Sequence, residues 1–238
     1  MTGVQTCALP ISPVKSRIEE IAANRKRWAE VSAPLLESKE VPINPFRVTA
    51  ELVKQVDPAN TIVLHDSGTV RGTIAQHYTA TTPRGFLGFG VASAMGWTVG
   101  ASIGARKANP QKLVVAIVGE EAFNETAMDV ETSIRHEAPV LFIVKNNRDH
   151  AFNERAGGKN KKLPNARYRT GVNIGALASA LGAASFRVES PDGIAAAIAS
   201  GIASVKAGRT AVIDVVTSRR NATLDHLWEN KGAKGLPL

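Results

Sequence analysis

Two short stretches carry residues that could hold a hard cation beside an anion: Val118-Gly119-Glu120-Glu121 and Lys145-Asn146-Asn147. Glu120 brings a carboxylate and Asn147 an amide oxygen, and the backbone just past Asn147 adds a carbonyl. Oxygen donors of this kind suit Mg²⁺, which takes part of its shell from a substrate's phosphates. Gly119 marks a tight turn, and a helix opening there has free N–H groups suited to a phosphate. A turn glycine, two surface acids and a polar strand end would look the same. Residue types alone do not separate the two readings.

The elements around these stretches give them a place. Apolar runs at 61–66, 112–118, 139–145, 184–190 and 210–216 read as buried strands, with helices expected near 69–79, 96–108, 122–136, 172–182 and 191–206. Asn44 and Pro45 form an N-cap and first helical position for a helix running to about Val56. A Gly-rich stretch, 85–96, separates the first strand and helix from the next helix. Apolar strands alternating with helices imply an α/β fold, a parallel sheet with helices on both faces. Right-handed crossovers then gather the strand C-termini on one edge, where ligands bind, and both chemical stretches lie at strand ends.

Upstream of these elements, Ser16 and Glu19 form a capping box for a helix carrying Ile18, Ile21, Trp28, Val31 and Leu35. The first twelve residues, MTGVQTCALPIS, have neither a helical nor a strand period. They resemble a translated sequencing-library adapter, so 1–12 is read as an artefact; an ordinary frayed terminus is the alternative. The expected organisation is then 13–42 as the remnant of a preceding domain and its linker, 43–218 as the main domain, and 219–238 as a tail.

The chain has 238 residues with 29 Lys and Arg against 21 Asp and Glu, a net charge of +8. Its single cysteine, Cys7, excludes an internal disulfide framework. No run approaches the ~18 apolar residues of a membrane span, and no secretion signal is recognisable, so a cytoplasmic, membrane-free protein is expected. The excess charge concentrates at Arg155, Lys159, Lys161, Lys162, Arg167 and Arg169. Tyr168 is the only aromatic among these basic residues, so the segment reads as an exposed, mobile loop rather than a nucleic-acid surface. Gly88-Phe89-Gly90 hints at a dinucleotide fingerprint, but Ser93 stands at its third glycine and no strong strand is expected before Gly88. His136 suits a helix C-terminus, His150 a surface loop, and no histidine is assigned a catalytic role.

The ordered segments AMGWTVGASIGARKANPQKLVVAIVGEE and APVLFIVKNN resemble the C-terminal, diphosphate-binding domain of thiamine-diphosphate enzymes, nearest the acetolactate synthase group. The resemblance runs from about Pro42 to Val216. Asp66-Ser67-Gly68 matches the turn after the first strand, Asp129-Val130-Glu131-Thr132 a family helix, and GEE with NN the GDG…NN cofactor motif. Glu120 and Asn147 are 27 positions apart, within the spacing of that motif. The resemblance implies Mg²⁺ held by Glu120, Asn147 and the Asp149 carbonyl. Gly68, Thr69, Gly119, Glu121 and Ala122 would line the diphosphate, Met95 would prop the bent cofactor, and the Ser93 carbonyl would accept from its aminopyrimidine amine. It further implies a 2-oxoacid substrate, decarboxylation and carboligation as in branched-chain amino acid biosynthesis, a homodimer or homotetramer, and FAD as a further cofactor left open for the whole protein.

The motif departs from the family at GEE. Glu120 is longer than the usual Asp by one methylene. Glu121 replaces a glycine, so a positive φ there would cost roughly 1 kcal/mol or more, and its charge competes with diphosphate. Ser93 replaces a usual glycine, and Gly100 stands near a usual proline. The family's catalytic glutamate belongs to a pyrimidine domain not present here, so this chain alone is expected to be inactive and no catalytic residue is assigned. A decarboxylase, oxidase or CoA-lyase relative, or a non-catalytic member with a degenerate motif, remain the alternatives.

Overall fold

The structure is a computed structural model and describes residues 14–90, 92–148 and 172–218. Two units separate near Pro34, eight residues before the boundary expected from the sequence. The described residues of the first lie in one helix, α1 (Val14–Leu36), and Ser16 lies inside it rather than at its N-cap.

The second unit begins with α2 (Pro45–Gln55). The Asn44 side chain accepts from the Phe46 N–H at 3.0 Å, and Pro45 opens the helix, as its fixed φ favours. Then follow β1 (Thr61–His65), α3 (Thr69–Ala75), β2 (Phe86–Gly88), α4 (Trp97–Ala108) and β3 (Leu113–Gly119). They are succeeded by α5 (Glu120–Thr126), α6 (Asp129–Arg135), β4 (Leu141–Asn146), α7 (Ile174–Ala180) and β5 (Ala184–Val188). A 3₁₀ turn (Pro191–Gly193), α8 (Ile194–Lys206) and β6 (Ala211–Val216) complete the unit.

The six strands form one sheet in the order β2-β1-β3-β4-β6-β5, parallel throughout. Side chains alternate strictly between its faces. Val115, Ile117, Leu141, Ile143 and Ile213 pack under α2, α3 and α8. Val114, Ala116, Val118, Phe142, Val144 and Val212 pack under α4, α5, α6 and α7. Both faces are covered, which is why the central strands read as unbroken apolar runs rather than alternating ones.

Three features differ from the sequence expectation. β2 lies within the Gly-rich stretch, where no strand was expected; three residues suffice because β1 supplies the pairing partner. The helix expected over 122–136 is two helices. At the joint the N–H groups of Val130 and Glu131 bond three residues back, to Ala127 and Met128, tightening the turn. The helix expected over 69–79 stops at Ala75.

The unit is closed at its entry by Ile43, which bridges Thr217. Its N–H bonds the Val216 carbonyl at 3.2 Å, and its own carbonyl accepts from Ser218. The expected tail (219–238), the first twelve residues, Asp149, His150 and the basic segment with Lys159, Lys161 and Lys162 lie outside the described residues.

Candidate cofactor site

The parallel sheet puts the C-terminal ends of β1, β3 and β4 side by side, and the expected site residues follow each of them. After β1, Asp66 is fully buried and acts as a junction. Its Oδ1 accepts from Ser67 N–H at 2.8 Å and Gly96 N–H at 3.3 Å, and its Oδ2 from Thr98 N–H at 3.2 Å. One carboxylate thus holds the turn carrying Gly68 and Thr69 against the start of α4. Gly68 has φ +71, and a Cβ there would meet nothing within 4 Å, so the turn is open to an approaching ligand. Gly96 must be glycine on two grounds: its φ is +75, and a Cβ would lie 2.7 Å from Thr126 Cγ2.

After β3, Gly119 has φ −78 and ψ 156, ordinary extended geometry. The tight-turn role expected for it is not seen. Glu121 lies in the first turn of α5, so the backbone strain expected at that position is absent. The helix itself supplies a right-handed conformation that any residue adopts. Ala122 is buried on the same turn. Strain appears instead at Ser93, whose φ is +55, a left-handed conformation that costs a side-chain-bearing residue roughly 1 kcal/mol. Met95 is half-buried and packs against the core under α4.

After β4, Asn147 meets Glu120. The Glu120 side chain is 4% exposed, and its Oε2 accepts from the Asn147 backbone N–H at 3.3 Å. The extra methylene of glutamate is therefore accommodated by reaching across to the neighbouring strand end. The structure brings Glu120 and Asn147 into contact and seats Gly68 and Thr69 at the start of α3, on the neighbouring strand end.

This arrangement fits a divalent cation and a diphosphate. A buried carboxylate and an amide-bearing residue meet at adjoining strand ends, and the Gly68 turn, which follows the neighbouring strand β1, is itself uncrowded. A hard ion would draw its remaining oxygens from the diphosphate and water.

Comparison with known proteins bears on the same residues. The profile of the family described as "Thiamine pyrophosphate enzyme, C-terminal TPP binding domain" matches residues 66–215. The chain belongs to the thiamine pyrophosphate enzymes. It is similar to 2-hydroxyacyl-CoA lyase of Arabidopsis thaliana, 29% identical over 89% of this chain and 39% of that protein. It is also similar to the probable acetolactate synthase large subunit of Methanococcus aeolicus, 27% identical over 79% of this chain and 32% of the relative. The catalytic subunit of mitochondrial acetolactate synthase from Saccharomyces cerevisiae is 31% identical over 60% of this chain and 21% of its own length. The crystal structure of benzoylformate decarboxylase from Polynucleobacter necessarius shares the fold, with a TM-score of 0.66 and 22% identity over 78% of this chain and 35% of that one. This thiamine pyrophosphate enzyme chain spans about a third of the length of the first two relatives. Among its described residues no helix is long and apolar enough to cross a membrane.

Three charged residues beside the site escaped the sequence reading. In the sequence Asp66 reads only as part of a turn, although it organises two loops. Lys145, on β4, is buried with no carboxylate partner among the described residues; its Nζ donates to Thr49 Oγ1 at 3.1 Å and Thr73 Oγ1 at 2.5 Å. Burial lowers its pKa from 10.5 to about 7. His77 is pushed down by burial and then by the Lys145 charge, and His65 chiefly by burial. Asp214 sits fully buried in β6. The signal available in the sequence was a lone charge inside an apolar strand, LFIVKN for Lys145 and AVIDVV for Asp214.

Proposed function

We propose that this chain is the diphosphate-binding part of a thiamine-diphosphate-dependent enzyme that decarboxylates a 2-oxoacid and joins the remainder to an acceptor, as acetolactate synthase does. The observation that carries this reading is the Glu120–Asn147 contact, which joins the two halves of the cofactor motif at 3.3 Å. Similarity to acetolactate synthases and to 2-hydroxyacyl-CoA lyase supports the choice of reaction class.

In this reading Glu120, Asn147 and the Asp149 carbonyl hold Mg²⁺. The backbone at Gly68, Thr69, Gly119, Glu121 and Ala122 lines the diphosphate. Met95 supports the bent cofactor, and the Ser93 carbonyl, aimed by its left-handed backbone, accepts from the aminopyrimidine amine. When bound, thiamine diphosphate supplies the electron sink, and the protein contributes orientation and electrostatics. Asp66 keeps the Gly68 turn and the α4 start at a fixed separation, so the two sides of the cofactor cleft do not drift apart. The whole enzyme is a homodimer or homotetramer in which a pyrimidine domain completes the site. Residues 43–218 form the cofactor domain, 13–42 belong to a preceding domain, and the compartment is cytoplasmic.

The test is calorimetric titration of the intact gene product with thiamine diphosphate, with and without Mg²⁺. Mg²⁺-dependent binding is expected; its absence would remove the cofactor assignment. A second reading, a non-catalytic member, is favoured by Glu121, which adds charge in the first turn of α5, where a diphosphate would approach. Reverting Glu120→Asp with Glu121→Gly separates the two. A large gain in affinity on reversion supports a degenerate site, and no gain supports a working variant.

A further inference from the structure

The end of β4 is held by a buried network that joins Asn146, the first asparagine of the NN pair, to residues outside the cofactor motif. Asp214, on the centre of β6, is 0% exposed and sits on the sheet face that otherwise carries Val212 and Val144. Three donors from three elements converge on it. Asn146 Nδ2 lies 2.9 Å from Oδ1, and Gly175 N–H at the start of α7 lies 3.3 Å from Oδ2. The Arg187 guanidinium of β5 is 2.5 Å from Oδ2. Arg187 is in turn fastened outward by Glu189 at 2.8 Å. A charge this deep is kept only when its oxygens are satisfied, and these are.

The network also fixes which way Asn146 faces. A carboxylate and a carbonyl, that of Val172 at 3.2 Å, both require the amide nitrogen on their side. Asn146 Oδ1 is thereby left buried without a hydrogen-bond partner. The chain bears that cost in order to keep both Nδ2 bonds, so the bonds, not the packing, account for an asparagine here. Asn146 is the residue immediately before Asn147, and the pairing of Asn146 with Val216 carries the last rung of the β4–β6 ladder.

We propose that Asp214 is a positioning residue for Asn147. By gripping Asn146 Nδ2 it fixes the final residue of β4, and with it the direction in which Asn147 presents its amide to a cation shared with Glu120. The proposal deepens the cofactor reading and rests on it for the identity of the bound ion. The mechanical part, that Asp214 orders the Asn147 turn, belongs to the protein alone.

The experiment uses the intact protein and the variants Asp214→Asn, Asn146→Ala and their combination. The first readout needs no ligand: hydrogen exchange at the Asn147 amide, which donates to Glu120. Each single variant is expected to speed exchange at Asn147 at least tenfold while Val144 keeps its protection. The second readout is the Mg²⁺ concentration for half-saturation at fixed thiamine diphosphate, expected to rise tenfold or more in each single variant and no further in the combination, because both act through one bond. Asn146→Ala keeps Asp214 with its Gly175 and Arg187 partners, so the experiment survives if Asp214→Asn fails to fold. Unchanged exchange at Asn147, or metal effects that multiply in the combined variant, would overturn the proposal. If the unaltered protein shows no Mg²⁺-dependent binding, the cofactor reading falls while the exchange result still decides the role of Asp214.

Discussion

Replacing Lys145 by methionine should stabilise the protein at neutral pH and leave its stability unchanged near pH 9. Lys145 ionises near 7 in the folded chain and at its ordinary value of 10.5 when unfolded. At about 1.4 kcal/mol per pH unit, that difference amounts to a penalty of about 5 kcal/mol once both states are protonated. The folded pKa is the lower one, so between 7 and 10.5 the unfolded chain binds more protons. Stability of the unaltered protein therefore rises with pH across that window, and the penalty is at its full size below 7. At pH 9 about 2 kcal/mol of it remains. Methionine removes the penalty but forfeits the two bonds to Thr49 and Thr73, worth about 1 kcal/mol each. Thr73 keeps its own donation to the Val70 carbonyl, so no hydroxyl hydrogen is stranded there. Lys145→Met should thus be about 2 kcal/mol more stable than the unaltered chain at pH 7 and equal to it near pH 9. Urea denaturation at the two pH values, with a chelator present so that no metal contributes, measures both differences. A stability difference that is the same at pH 7 and pH 9 would refute the reasoning, as would a loss of stability at pH 7.

Other perturbations test the remaining architecture. Asp66→Ala would leave the N–H groups of Ser67, Gly96 and Thr98 without their acceptor, and thermal unfolding should show a loss of about 3 kcal/mol. Gly88→Ala would drive a methyl into the His65 imidazole, which is packed between Phe86 and Phe89 at centroid distances of 5.0 and 5.6 Å. A destabilisation of about 1–3 kcal/mol is expected in the same melt. Ser93→Gly should relieve the left-handed strain and raise stability by up to about 1 kcal/mol, with the circular dichroism spectrum unchanged.

The sheet was legible because burial on both faces leaves long apolar runs, and five of its strands were placed within two residues. β2 was not, because a three-residue edge strand containing glycine has no period of its own and exists through its partner. The joint between α5 and α6 was hidden for a similar reason. Ala127 and Met128 keep right-handed helical backbone angles, φ −57 and −62, and only the hydrogen-bond register changes. At the site, the pairing of Glu120 with Asn147 followed from strand-end placement. The backbone strain expected at Glu121 is absent because a glycine's backbone angles do not carry over to this position, which is an ordinary first helical turn. Asp66, Lys145 and Asp214 were missed because their partners are remote: Asp66 reaches Gly96 and Thr98, 30 and 32 positions on, and Lys145 reaches Thr49 and Thr73. A sequence displays such a charge but not what neutralises it.

The strand order has a consequence for how the molecule comes into being. β6, the last of the described strands in chain order, sits between β4 and β5, and Asn146 and Asp214 are 68 positions apart. During synthesis β5 has no neighbour to pair with until β6 has left the ribosome. No two strands of the sheet form a hairpin, so nucleation depends on distant segments meeting, which is intrinsically slow. The turn bearing Asn147 acquires its anchor only once β6 has joined the sheet. Until then the nascent chain exposes an unpaired β4 edge, the kind of surface that chaperones are needed to shield.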